Sequence, residues 1–143
     1  MSRQSAIIVD VDGTLALRNL NLENPRGPYE GERVKEDLVN EPIADLVTSL
    51  KALQFKVLIV TGRDGLYESL TKEWLTEQGI PFDECFSRPP GNNDSDATIK
   101  KEIYLEQIEP FYKVYYVFDD RDSVVKMWRG LNLTCLQVAE GNF

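Results

Sequence analysis

The chain has 143 residues, a net charge of −8, no histidine and two isolated cysteines, Cys85 and Cys135. That length suits one domain burying roughly 68–70% of its unfolded surface; the acidic balance argues against a broad phosphate-gripping face of the kind that dominates nucleic-acid affinity. Without histidine or metal-spaced cysteines, zinc-dependent, Ser-His and Cys-His mechanisms lose their usual parts. No apolar run approaches the ~20 residues of a membrane helix. The Met1–Ser5 segment before the first strand leaves no room for a signal peptide. A cytoplasmic protein with reduced thiols and no membrane association is expected.

The first element is a strand over Ile7–Val11, β-branched apart from Asp10 and so suited to burial on both faces of a parallel sheet. Side chains two residues apart in an extended chain share one side, about 6.5–7 Å apart. Asp10 and Asp12 therefore look into one site at the strand's C-terminal end, and Gly13 lets the backbone turn there. Residues 16–40, with Pro25, Gly27, Pro28 and Gly31, lack sustained periodicity. A segment that long, placed directly after the two aspartates, reads as a lid.

Asn40 is the expected N-cap of a helix in which Ile43, Leu46, Val47, Leu50 and Leu53 recur at three- to four-residue spacing. A second buried strand, Phe55–Val60, ends in Thr61-Gly62-Arg63-Asp64-Gly65. A helix from Tyr67 to Gln78 stops at Gly79, and Phe82–Phe86 is a short strand. Arg88–Asn93 is a loop, and Asp94, Ser95 or Asp96 caps a helix running to Ile108. The strand Val114–Phe118 delivers Asp119-Asp120-Arg121-Asp122. A helix with Val124, Val125 and Trp128 inward ends near Gly130, and Leu133–Val138 is the last strand. Alternating strands and helices predict a single α/β domain over 1–143. Its architecture is a three-layer, doubly wound, Rossmann-like parallel sheet, with residues 16–40 as a short lid or cap insertion.

Three apolar strands thus end in polar clusters: Asp10/Asp12, Thr61/Arg63 and Asp119/Asp120. Parallel strands bring such clusters to one sheet edge. One carboxylate can attack phosphorus while a second handles the proton. Two further carboxylates beside Asp10 repel one another unless a hard cation sits between them. Mg²⁺ fits that role, because it takes oxygen ligands from a few carboxylates and a substrate phosphate.

The Asp10-Val11-Asp12-Gly13-Thr14 run, Thr61, a basic residue on a later helix and Asp119-Asp120 resemble the four motifs of haloacid-dehalogenase-superfamily phosphatases, in the right order and over nearly the whole chain. More locally, Arg26-Gly27-Pro28-Tyr29, Asp37-Leu38-Val39-Asn40, Thr61-Gly62-Arg63, Lys100-Lys101-Glu102-Ile103, Asp119-Asp120-Arg121, Met127-Trp128-Arg129 and the tail Gln137–Phe143 are similar to the 3′-phosphatase domain of bacteriophage-type polynucleotide kinase/phosphatases. The resemblance implies Asp10 as nucleophile and metal ligand. Asp12 would be the acid/base, with its backbone carbonyl on the metal. Thr61 would donate to the phosphate and Lys100 would neutralise it, although Lys101 could take that part. Asp120 would bind the metal directly, with Asp119 behind it or on a metal water. Thr14, Gly62, Arg26, Asp37 and Arg63 would serve substrate binding, the arginines near the polynucleotide end. Tyr29 and Tyr67 could stack on a terminal base or simply cover core.

The function implied is Mg²⁺-dependent removal of a 3′-phosphate, or opening of a 2′,3′-cyclic phosphate, at DNA or RNA ends during nucleic-acid repair. No G-x-x-x-x-G-K-[ST] occurs, so no 5′-kinase activity is expected of this chain. The alternatives are a phosphatase for a small phosphorylated metabolite or nucleotide and, from another class, a non-catalytic binding module with a degenerate site.

Overall fold

The computed structural model describes residues 2–143. Five parallel strands form the central sheet: β1 (Gln4–Val9), β4 (Lys56–Asp64), β5 (Glu84–Arg88), β6 (Tyr112–Asp119) and β7 (Cys135–Gln137), in the order β5-β4-β1-β6-β7. Helices α1 (Glu41–Ala52) and α2 (Glu68–Glu77) cover one face; α3 (Asp96–Ile103) and α4 (Asp122–Gly130) cover the other. The period-2 alternation of a strand sorts the core into two halves. Ala6, Ile8, Leu58, Val60 and Val117 pack with Ile99, Val124 and Trp128. Ile7, Val9, Val57 and Ile59 pack with Val47, Trp74 and Leu75 on the opposite face. Both tryptophans are fully buried, and truncating either to alanine would cost about 3–5 kcal/mol. This is the three-layer α/β architecture expected from the sequence.

The strand order reverses at β1, which pairs with β4 on one side and β6 on the other. A crevice therefore opens beyond the C-terminal ends of these three strands. Residues 16–40 close over it with little regular structure of their own. Two-residue strands β2 (Ala16–Leu17) and β3 (Leu38–Val39) pair antiparallel at its base, and a 3₁₀ helix spans Gly31–Glu36. Lys35 ties that helix to Glu77 of α2 at 2.7 Å.

Several boundaries differ from those read in the sequence. Asn40 occupies the N-cap position of α1, but its Nδ2 donates to Thr14 O at 2.8 Å and so fastens the end of the 16–40 segment to the Asp10 loop. β4 runs on through Thr61-Gly62-Arg63 to Asp64, because β5 pairs with it as far as Arg88. The expected helix to Ile108 is α3 followed by a π-type turn over Tyr104–Ile108. Ser95 is the residue that caps α3, its Oγ accepting from Thr98 N at 3.2 Å. No helix is long and apolar enough to cross a membrane.

Candidate active site

β1 runs out at Val9, and one more backbone bond, from Asp10 N–H to Phe118 O of β6 at 3.0 Å, holds the Asp10 carboxylate at the strand's end in the crevice. That carboxylate is buried and accepts from Lys100 Nζ at 2.8 Å and Thr14 Oγ1 at 3.1 Å. Lys100 sits in the second turn of α3. Its ammonium is 2% exposed by residue and donates also to Asp119 Oδ2 at 2.9 Å. Asp119 accepts two further bonds: Trp128 Nε1 donates to Oδ2 at 3.2 Å, and the Asp120 N–H donates to Oδ1 at 2.9 Å. Among the described residues, no lysine, arginine or hydroxyl group hydrogen-bonds the Asp120 carboxylate, which lies beside the Asp10 carboxyl. One oxygen each from Asp10, Asp119 and Asp120 lie within 4.8 Å of one another.

Three carboxylates against one ammonium leave a buried excess of negative charge. Burial, and then the Asp119 carboxylate, push Asp10 well above the usual carboxylate range, against the pull of Lys100. Burial raises Asp120 in the same way. Burial alone would lower Lys100, but Asp10 and Asp119 outweigh it and hold the ammonium firmly protonated. All-oxygen donors and uncompensated negative charge fit a hard divalent cation such as Mg²⁺, with one oxygen each of Asp10, Asp119 and Asp120 close enough to share it.

Asp12 lies outside this trio and faces the 16–40 segment through Arg26. Arg63 holds it with two bonds, Nε to Oδ2 at 2.9 Å and Nη2 to Oδ1 at 2.8 Å; Arg26 Nη2 adds a third at 3.0 Å. Partial burial would raise Asp12, but Arg63 and then Arg26 outweigh it and hold the carboxyl below its ordinary range. Asp37, buried beneath, fixes both arginines. It accepts from Arg26 Nε and Nη2 at 2.7 Å each and from Arg63 Nη2 at 3.0 Å. Arg63 Nη1 donates to Thr71 Oγ1 at 3.0 Å, and Trp74 Nε1 holds the Asp37 carbonyl at 3.0 Å. The guanidinium donors that face the crevice are therefore spent on Asp12 and Asp37.

Thr61 is buried at the end of the apolar part of β4. Its hydroxyl accepts the Arg63 N–H at 3.1 Å, which leaves its own proton free to donate. Gly62 carries no side chain because a Cβ there would collide with Asp96. Gly13, at φ +81, is needed twice over: its backbone is left-handed, and a Cβ would run into the Asp120 carboxylate. The fold thus gathers Asp10, Asp12, Thr14, Thr61, Gly62, Lys100, Asp119 and Asp120 around one crevice, with Arg26, Asp37 and Arg63 braced behind Asp12. Lys101 is exposed on the outside of α3. The Tyr67 ring packs against Gly31, while Tyr29 is 94% exposed.

Sequence reasoning missed four contributors. Asp96, read as a capping candidate, pairs with Arg88 and, at 3.0 Å, with Arg121. Its position one turn before Lys100 was the available signal, since residues i and i+4 share a helix face. Trp128 and Trp74 read as core, and nothing local reveals that their ring N–H groups reach Asp119 and Asp37. Thr71 carried no signal at all. Burial pushes the Cys85 thiol up to about 11 and the Cys135 thiol to about 12, so neither is a nucleophile at neutral pH.

The family described as "Polynucleotide kinase PNKP phosphatase domain" matches residues 4–143. The chain belongs to this family. It is a phosphatase, built on a haloacid-dehalogenase-type fold. A bifunctional polynucleotide kinase/RNA ligase of Autographa californica nuclear polyhedrosis virus is 31% identical to it over 134 residues, 90% of this chain and 18% of the viral protein. The phosphatase superimposes at a TM-score of 0.93 and 38% identity on a chain of the Pnkp1/Rnl/Hen1 complex, covering 99% of itself and 48% of that chain. A second structure, of the Pnkp1/Rnl/Hen1 RNA repair complex, gives 0.92 and 37%, covering 99% and 44%. The phosphatase therefore spans less than half the length of these relatives.

Proposed function

We propose that this phosphatase removes the terminal 3′-phosphate from DNA or RNA ends through an aspartyl-phosphate on Asp10, with Mg²⁺ as cofactor. The observation that carries the reading is the Asp10 carboxylate, held between Lys100 and Thr14 in a crevice that combines surplus carboxylates with the two-arginine brace on Asp12. Bound among Asp10, Asp120 and the Asp12 backbone carbonyl, with Asp119 behind, Mg²⁺ would neutralise charge on the phosphate.

The chain's own residues account for the remaining steps. An Asp10 oxygen attacks phosphorus, and the bond from phosphorus to the 3′ oxygen breaks. Asp12, a carboxylate while the arginines hold it, takes up a proton from solvent when the entering strand draws Arg63 and Arg26 away, and hands that proton to the leaving oxygen to give a 3′-hydroxyl. Asp12, now a carboxylate again, takes a proton from water as the water attacks phosphorus. The bond to Asp10 then breaks and inorganic phosphate leaves. Thr61, the Gly62 backbone and Lys100 hold the phosphoryl oxygens, Lys100 as a compact point charge. Thr14 fixes the rotamer of Asp10. Arg26, Asp37 and Arg63 position Asp12, and residues 16–40 form the lid of a single domain over 1–143. A 2′,3′-cyclic phosphate presents the same phosphorus and is a second candidate substrate. The 3′-hydroxyl product is what a polymerase or ligase needs, which places the reaction in nucleic-acid repair, in the cytoplasm for a chain with reduced thiols.

The test is phosphate release from a 3′-phosphorylated oligonucleotide and its 5′-phosphorylated isomer, with Mg²⁺ and with EDTA. Metal-dependent release from the 3′ isomer alone, abolished in Asp10→Asn, is the expected result. Equal or negligible release from both isomers would overturn the end-specific reading and favour a small phosphorylated metabolite.

A further inference from the structure

The catalytic crevice accounts for one phosphate, yet a polynucleotide end brings more. The cations facing that crevice have little left to offer them. Lys100 is committed to Asp10 and Asp119, Arg26 and Arg63 to Asp12 and Asp37, and Arg88 to Asp96 and to the carbonyls of Gly62, Asn92 and Asp94.

Outside the crevice, α3 and α4 frame an open groove of about 370 Å³ lined by Lys101, Ser123, Lys126, Met127, Gly130 and Leu131. It contains two lysines and no carboxylate, in a chain with 24 acidic and 16 basic residues. Among the described residues neither Lys101 nor Lys126 forms an ion pair. The residues that line the groove are close in the chain to the catalytic ones. Lys101 follows Lys100 directly on α3. Ser123 lies in the first turn of α4, three positions after Asp120. Arg121, between them, has a half-exposed guanidinium held over the Phe143 ring and against Asp96. From Ser123 to Gly130 the groove follows α4 for about 10 Å at ~1.5 Å per residue. That length accommodates about three stacked nucleotides at ~3.4 Å each. Ser123 and Gly130 keep its floor low, so a backbone can approach closely.

We infer that the groove between α3 and α4 binds the phosphodiester backbone of the substrate strand, with Lys101 and Lys126 contacting the phosphates that precede the scissile one. The inference rests on the polynucleotide-end reading above and explains how an acidic protein grips a polyanion: locally, along one seam. Lysine suits such a seam, because a flexible point charge reads phosphate without reading sequence.

The experiment compares kcat/KM for a 3′-phosphorylated ten-nucleotide strand and for a nucleoside 3′-monophosphate, across a salt series, in the wild type, Lys101→Gln/Lys126→Gln and Lys101→Arg/Lys126→Arg. In the glutamine variant the polymer-to-mononucleotide ratio should fall about tenfold. The slope of log(kcat/KM) for the polymer against log[salt] should flatten by about 1.4, at ~0.7 per lost single-strand phosphate contact. The arginine variant should restore both. A glutamine variant with the wild-type ratio and slope overturns the groove while leaving the end-processing reading intact. A wild type that prefers the mononucleotide overturns that reading and the groove together.

Discussion

Lys100 Nζ lies 2.8 Å from Asp10 Oδ1, although the two residues are 90 positions apart in the chain. The same ammonium reaches Asp119, so one buried cation spans two of the three crevice carboxylates. Replacing it leaves Asp10 and Asp119 repelling each other out of water. Lys100→Ala should lower kcat by about 10²–10³-fold, the scale of losing one preorganised electrostatic partner. It should also lower stability by about 3–5 kcal/mol in denaturant titrations. Lys100→Arg should rescue neither fully, because the planar fork does not fit a pocket built for a point charge. Wild-type turnover in Lys100→Ala would remove this residue from the phosphate site.

Asp37 is 1% exposed at its side chain and carries both arginines that hold Asp12. Asp37→Ala should therefore act at a distance. Arg26 loses its bidentate partner while staying buried, which costs about 3–5 kcal/mol by the usual penalty for an orphaned buried charge. Arg63→Lys tests the same brace more gently. One ammonium cannot hold both Asp12 oxygens, Asp37 and Thr71, so kcat should fall at least tenfold with the fold retained. Circular dichroism beside steady-state kinetics separates the two effects. An unchanged kcat in Arg63→Lys would sink the positioning role.

Gly13→Ala probes the close approach of the Asp10–Gly13 turn to Asp120. The new methyl meets the Asp120 carboxylate, and φ +81 is strained for any L side chain. Activity should be lost in proportion to the displacement of Asp120, with a steep rise in the Mg²⁺ concentration needed for half-maximal rate. Normal Mg²⁺ dependence in this variant would place the cation elsewhere.

Mg²⁺ should stabilise the protein more in alkali than in acid. Asp10 and Asp120 are raised in the folded state, so the stability they contribute is full below the unfolded carboxylate range and is lost as pH rises through their folded values. Asp12 has the opposite sign: lowered in the folded state, it contributes above the unfolded range and is lost in acid. A divalent cation competes only with the protons on the first two. The Tm gain on adding Mg²⁺ should accordingly be larger near about pH 8 than near about pH 5. Equal gains would exclude the Asp10/Asp119/Asp120 trio as the binding site.

The sequence by itself determined the layered α/β fold and pointed to the carboxylates and hydroxyl that the fold gathers at the candidate site. Buried parallel strands need continuous β-branched runs, and such a run that ends abruptly in aspartate or threonine marks a sheet edge where polar groups have work to do. Asp10, Asp12, Thr61 and the Asp119-Asp120 pair were legible for that reason. Lys100 was legible only through resemblance, since two adjacent lysines on one helix look alike until one side chain is seen to enter the crevice. Tertiary structure alone decided the rest. That Arg26 and Arg63 spend their donors on Asp12 and Asp37, that Asp96 bridges Arg88 and Arg121, and that two core tryptophans donate to Asp119 and Asp37 are all long-range pairings. Local periodicity carries no information about them, because a hydrogen bond between residues far apart in the chain depends on where the whole sheet places its edges.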